Sequence, residues 1–370
     1  MIWALISIVF ITPFLFMPNL YHWMELPKAV FMQVGVALLF FVCLLRGGIK
    51  FPSLTLPIGL FLGWAGLSLF WATNVYDGVT VLVHWVSCAL LIVLVKNVKD
   101  PKPLLIAVAI AGFIAGLYGM LQSHGLANHI PFIGDIPCIS GKYGSFFGHK
   151  NTAGRFMVAT FPFAMVLIWI LKGKIRWLFV PMAVTISIFL WFCDSRAALV
   201  AVICMGVVGV SLIKWKLIFP AVAIGVILIF SINGIDTTEV KTDIRTQLYA
   251  GMIKSGGSLA GVGLNNTKTM YPSLPNRPEW TISQIQHVKD LHNDYLQIWF
   301  ELGYIGFFLL LGCIYSIGRL FYRNRKDSVK VAMFLSVLGL GITGMFSFPA
   351  YMPVSPMMIG VSLGVLEWIS

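Results

Sequence analysis

Four short stretches of this 370-residue chain concentrate the side chains best suited to acid–base or anion chemistry. The most suggestive residue is His292, in LHNDYLQIWFELGYIG (291–306). A histidine at a membrane interface exchanges a proton near neutral pH, which suits it to activate a hydroxyl. Its plainer reading is the residue that starts a helix, with Asn293 or Asp294 as N-cap. Glu301 follows nine residues later, where a helix would aim it into the protein and a buried carboxyl needs a partner.

Arginines mark two further stretches. Arg196 lies in CDSRAALVA, at a tight turn between two apolar runs, where a charge points to function unless Asp194 neutralises it as an interfacial anchor. Arg245 lies in DIRTQLYAGMIKSGG, where Ile244, Leu248 and Met252 recur every fourth residue. That spacing predicts an amphipathic helix on the membrane surface, ended by Gly256 and Gly257, with Arg245 on a face that is otherwise solvated. The glycine-rich GSLAGVGLNN (257–266) comes next and could bring backbone N–H groups to a phosphate. It lacks the GK[ST] of a nucleotide-binding loop. The last stretch, GSFFGHKNTAGRFM (144–157), gathers His149, Lys150, Asn151 and Arg155 where a helix begins. Cations and a helix N-terminus together suit an anion, so Lys150 and Arg155 are candidate diphosphate contacts.

The elements that must position these residues are membrane helices. The chain is 58% hydrophobic and only 11% charged, against about a quarter charged in a soluble domain. Twelve apolar segments recur, at roughly 2–17, 28–45, 54–71, 78–95, 103–121, 152–171, 177–193, 197–213, 216–232, 294–318, 328–348 and 353–369. They are continuous and approach the ~20 residues of a spanning helix, without the period-two alternation of a barrel. The expectation is an all-α integral membrane protein of about twelve transmembrane helices, one polytopic domain over 1–370. Two connections are long: 122–151, and 233–293 with short helices of its own.

The formal charge of +12 does not indicate nucleic acid, because the basic residues follow membrane topology. Connections after even-numbered segments (46–50, 96–102, 172–176, 214–216, 319–326) hold fifteen Lys and Arg with Lys330, against five in the opposite short connections. The excess marks the cytoplasmic side, so both termini should be cytoplasmic and both long connections periplasmic. The six cysteines form no CxxC pair or metal spacing and read as small core residues.

Taken in order, FFGHKNTAGRFM, SRAALVA, an arginine-bearing helix with GVGLNN, and HNDYLQIWFELGYIG resemble the O-antigen ligase and Wzy polymerase superfamily, most closely the O-antigen ligases. The resemblance covers roughly 144–320 by motif. It implies a GT-C type glycosyltransferase of the bacterial inner membrane with a periplasmic active site, needing no cofactor and no metal. Such enzymes move a glycan from undecaprenyl diphosphate to a hydroxyl of lipid A–core, with inversion at the anomeric carbon. By matching motif, Arg196 and Arg245 would bind the donor diphosphate, with Asn151, Lys150 and Arg155 nearby. His292 would orient or deprotonate the acceptor hydroxyl. Lys150 departs from the family, which usually has proline before that asparagine. The implied partners are the undecaprenyl-diphosphate-linked glycan, lipid A–core and membrane lipids. A Wzy-type polymerase is the nearest alternative. A polytopic transporter is the rival of another class, but no inverted repeat or paired broken helices support it.

Overall fold

A computed structural model of the protein describes all residues except 18–19, 21, 127–128, 131–133, 136–143, 214–243, 277–289 and 369–370. The described chain is helical apart from a two-residue antiparallel ribbon, His129–Ile130 with Gly134–Asp135. Its helices are α1 (Ile2–Ile11), α2 (Glu25–Arg46), α3 (Thr55–Leu67), α4 (Val75–Lys96), α5 (Lys102–Ser123), α6 (Lys150–Ile170), α7 (Phe179–Phe192) and α8 (Arg196–Ile213). Then come α9 (Ile244–Ser255), the single turn α10 (Thr267–Met270), α11 (Asp294–Asn324), α12 (Ser328–Gly344) and α13 (Val354–Glu367). Eleven of the twelve apolar segments are thus helices, and the ninth, 216–232, lies outside the described residues, as do His287, Lys142 and Cys138.

Six of these helical stretches are long and apolar enough to cross a bilayer: α2, α4, α5, α6, Gly173–Phe192 and α11. Five more are apolar but shorter, so the chain is a multi-pass membrane protein. The helices begin where side chains replace missing backbone partners. Asn74 accepts from the Asp77 N–H to open α4, and Asn293 accepts from Tyr295 and Leu296 to open α11. Asp327 accepts from Val329 and Lys330 to open α12. In lipid no hydrophobic effect drives helices together, so close approach over small residues does. Gly112 on α5 meets Thr160 on α6, Gly339 on α12 meets Val158 and Met205, and Gly364 on α13 meets Val95 on α4. Large apolar side chains such as Trp3, Leu45, Phe70 and Trp169 stay on the outside, where lipid would cover them.

Two of the basic connections, 46–50 and 96–102, meet at one end of the bundle. Beyond α2, Lys50 exchanges hydrogen bonds with Asn97 at the end of α4. Lys96 forms an ion pair of 3.5 Å with Glu367 at the end of α13. The opposite end, where α2, α4, α6, α8, α11 and α13 begin, carries the four motif stretches.

Helix α11 is not one regular helix. Gly303 has φ 68° and ψ −168°, a conformation essentially restricted to glycine. The 21 residues after the break rise about 31 Å at 1.5 Å each, one bilayer crossing. The nine before it form a bent extension above that span.

Candidate functional site

The glycine-rich stretch meets that break. Val262 N–H donates to Phe300 O (3.2 Å) and Gly263 N–H to Glu301 O (2.9 Å). On the far side, Tyr304 and Ile305 N–H donate to Ser258 O and Leu259 O. Two backbones can lie this close only without side chains. A Cβ on Gly261 would strike the Glu301 carbonyl and Gly303 N, and one on Gly303 would strike Gly261 N and Leu259 O. The part of the stretch from 261 to 266 has no free backbone N–H with which to cradle phosphate. Every backbone N–H from 261 to 266 is already engaged within the protein, including Gly261 with Ser258 Oγ, Leu264 with Ser68 Oγ and Asn265 with Glu301. The glycines are a strut between loop and broken helix.

Glu301 locks the strut. Its carboxylate is fully buried and accepts from Thr267 Oγ1 (2.6 Å), Gln297 Nε2 (3.0 Å), Asn265 N (2.8 Å) and Tyr351 Oη (2.7 Å). The partner that a buried carboxyl requires is thus a set of four donors from three segments. Asn265 and Asn266 extend the tie to the start of α4 at Asn74 and Asp77. Helix α9 forms as the period-four pattern predicts, but its apolar face docks on protein. Leu248 and Met252 pack with Tyr271, Leu291 and Phe300, and burial pushes the Tyr271 hydroxyl up to about 12.

This scaffold fixes His292. The residue has φ 54°, a left-handed conformation uncommon outside glycine. Its carbonyl accepts from Tyr249 Oη of α9 at 2.9 Å, and Leu291 N–H beside it donates to Gln297 Oε1. Asn293 takes the N-cap role, which leaves the His292 ring against Phe348, edge to face at 5.1 Å between centroids. Among the described residues, the non-glycine positions with positive φ are Ser145, Asp194, Asn265 and His292. One falls in each motif stretch, and such strain gathers at functional sites.

His292 lines a cavity of about 310 Å3 at this end of the bundle. His149, Asn151 and Arg155 from the start of α6 line it too, with Arg245 from α9, Ser347 and Phe348 after α12, and His22 to Met24 before α2 with Glu25, its first residue. Arg155 is only 2% exposed. Its guanidinium donates to Asn151 O (3.2 Å), Ser347 Oγ (3.1 Å) and Thr152 Oγ1 (2.8 Å), with the Phe348 ring 5.6 Å away. All three acceptors are neutral. No carboxylate of a described residue hydrogen-bonds this guanidinium, although Asp294, Glu25 and Asp290 act on it electrostatically from farther away. Arg245 donates to Phe346 O at 3.3 Å. His149 caps α6 through Nδ1, which accepts from Asn151 N–H, so its ring proton is on Nε2. Burial, then the charges of Arg155 and Lys150, hold its imidazole below the ordinary histidine value and keep it neutral at pH 7.

Two sequence candidates stand apart from this lining. Lys150 forms an ion pair with Asp194, so Asp194 anchors α6 to the turn before α8 rather than neutralising Arg196. Arg196 is exposed on the first turn of α8 and makes no hydrogen bond or ion pair with a described residue. The two first turns are close, since a Cβ on Gly154 would meet Ser195 and Ala198 at 3.0–3.2 Å. Sequence reasoning missed Ser347, Phe348, Trp23 and Glu25, which sit in stretches with no charge pattern or motif of their own. It counted Lys28 only for topology. That lysine is 2% exposed and donates to Leu15 O, Met24 O and Phe146 O, joining the segment before α2 to the one before α6.

Comparison with known families matches residues 181–311 to the model described as O-Antigen ligase. Over this segment, about a third of the chain, the sequence is similar to the O-antigen ligases. The match supports the superfamily read from the motifs, whose members are membrane glycosyltransferases. The matched segment contains Arg196, Arg245, the glycine strut, His292 and Glu301. Arg155, Ser347, Phe348 and Glu25 lie outside it, so the cavity is built partly from the family segment and partly from the helices around it. No curated protein matches the chain.

Proposed function

We propose that the chain transfers O-antigen glycan from undecaprenyl diphosphate to a hydroxyl of lipid A–core, at the periplasmic face of the bacterial inner membrane. The observation that carries this reading is the buried Arg155 guanidinium, bonded only to neutral acceptors, in one cavity with Arg245 and His292. The cavity lies at the end of the bundle away from the basic connections 46–50 and 96–102, and an excess of Lys and Arg marks the cytoplasmic side. Both termini would then be cytoplasmic.

In the proposed reaction Arg155 and Arg245 hold the diphosphate, where charge builds as the glycosidic bond breaks. Arg196, exposed on the neighbouring first turn, meets its outer oxygens from the rim, and Asn151 holds the cap that aims Arg155. The acceptor oxygen bonds to the anomeric carbon while the carbon–oxygen bond to the diphosphate breaks. That electron pair leaves with the diphosphate, and the hydroxyl proton passes to His292. Attack from the side opposite the leaving group inverts the anomeric centre. Guanidiniums do the charge stabilisation, so EDTA is expected to leave turnover unchanged. Inhibition reversed by Mg2+ would contradict that division of labour.

His292→Ala is expected to bind donor as wild type does and to lose turnover by about 10²–10⁴-fold, the range of a general base. Turnover within a fewfold of wild type would remove His292 from the mechanism. In a host deleted for this gene, long glycan stranded on undecaprenyl diphosphate beside bare lipid A–core supports the ligase. Lipid A–core carrying a single repeat unit supports a Wzy-type polymerase instead.

A further inference from the structure

Trp23 and Glu25 bring a second chemistry into the cavity, distinct from that of the guanidiniums. We propose that the segment leading into α2 forms the wall that receives the acceptor sugar, with Trp23 stacking on its ring and Glu25 accepting a hydrogen bond from one of its hydroxyls. The assignment deepens the transferase reading and rests on it.

Glu25 is the acidic residue among those lining the cavity. It is exposed, and its carboxylate makes no hydrogen bond or ion pair with a described residue, although Arg155 and Arg245 line the same space. At short range and low dielectric a carboxylate and a guanidinium attract strongly. Here Glu25 acts on Arg155 electrostatically but forms no ion pair with it, and the guanidinium's hydrogen bonds go to Asn151, Thr152 and Ser347. A diphosphate seated against the guanidiniums would be repelled by Glu25, so the group that Glu25 meets is not an anion and must donate a hydrogen bond. A sugar hydroxyl is that group.

Trp23 supplies the complementary surface. Its ring is half-buried and fixed edge-on against Phe16, centroids 6.5 Å apart. A pyranose presents apolar C–H bonds on one face, which lie flat on an aromatic ring, and hydroxyls around its edge for a carboxylate. In-line displacement requires the acceptor to approach away from the leaving diphosphate, so it needs a wall other than that of the arginines. Lys28, one helical turn after Glu25, makes this wall rigid. Its three bonds to Leu15 O, Met24 O and Phe146 O tie the segment to the start of the α6 stretch, and preorganisation of this kind lowers the ordering cost of binding.

The test uses the full chain in nanodiscs, with rough lipopolysaccharide titrated as acceptor and undecaprenyl-diphosphate glycan as donor. Glu25→Gln and Trp23→Ala are each expected to raise acceptor KM about tenfold or more, the loss of one charge-assisted contact or one aromatic face. Donor KM stays within about twofold, and Trp23→Phe retains most acceptor affinity. Unchanged acceptor KM in both variants, or a rise in donor KM instead, overturns the proposal. Binding of fluorescein-labelled, delipidated core oligosaccharide separates the wall from the reaction. Affinity that depends on Trp23 and Glu25 in a protein without turnover keeps the wall and refutes the transferase. Affinity equal in wild type and both variants removes the wall.

Discussion

Arg155→Met is expected to lower kcat/KM for glycan transfer by about a thousandfold or more while leaving the folded protein in the membrane. The reason is the position of its charge. A preorganised donor aimed at developing negative charge is worth about 10²–10³ in rate on its own, and a guanidinium adds full charge in a site shielded from water. Arg155 is buried, and its bonds to Asn151, Thr152 and Ser347 keep it aimed before substrate arrives. Methionine preserves the packing of the side-chain stem beside Phe348, which separates lost charge from lost volume. Lysine is expected to restore little, since an ammonium cannot present two parallel N–H bonds to phosphate. Turnover within fivefold of wild type in Arg155→Met would mean the anion is held elsewhere.

Gly303→Ala is expected to destabilise the protein by at least about 3 kcal/mol, the scale of a backbone forced out of its allowed region plus a core collision. The added Cβ would meet Gly261 N and Leu259 O, so the strut must open, and with it the seat of Glu301. Gly312 and Gly318 on the same helix face open space. Alanine at either should be neutral or slightly stabilising, by up to the ~1 kcal/mol difference in helix propensity. Thermal unfolding in detergent reads both effects. A melting temperature for Gly303→Ala equal to that of Gly312→Ala would show that the break in α11 is not required.

These two residues also mark how much was legible in the sequence. Helix placement was, because apolar runs and Asn or Asp caps are local signals, and eleven of twelve segments emerge as helices. So was the joining of His292, Arg245 and Arg155, through motifs that carry chemistry. The strut was not. Glycines beside an anion-binding pattern suggest a phosphate cradle, and only the facing backbone at Gly303, some forty residues away, shows that the N–H groups are already engaged. Glu301 showed the need for a partner, but its four donors come from Asn265, Thr267, Gln297 and Tyr351, a set that no spacing reveals. Lys150 and Arg196, both singled out as diphosphate contacts, are not among the residues lining the cavity: Asp194 pairs with Lys150, and Arg196 is exposed on the first turn of α8, at the rim. Trp23 and Glu25 carried no local signal, because their meaning depends on the walls they face.

Glycan transfer in proteoliposomes tests the central claim most directly. Purified full-length protein would be given undecaprenyl-diphosphate glycan and rough lipopolysaccharide, and both products would be quantified. The account predicts glycan on lipid A–core in step with released undecaprenyl diphosphate, with both products lost in Arg155→Met. Unconsumed donor with wild-type protein, or equal turnover in the variant, would contradict it.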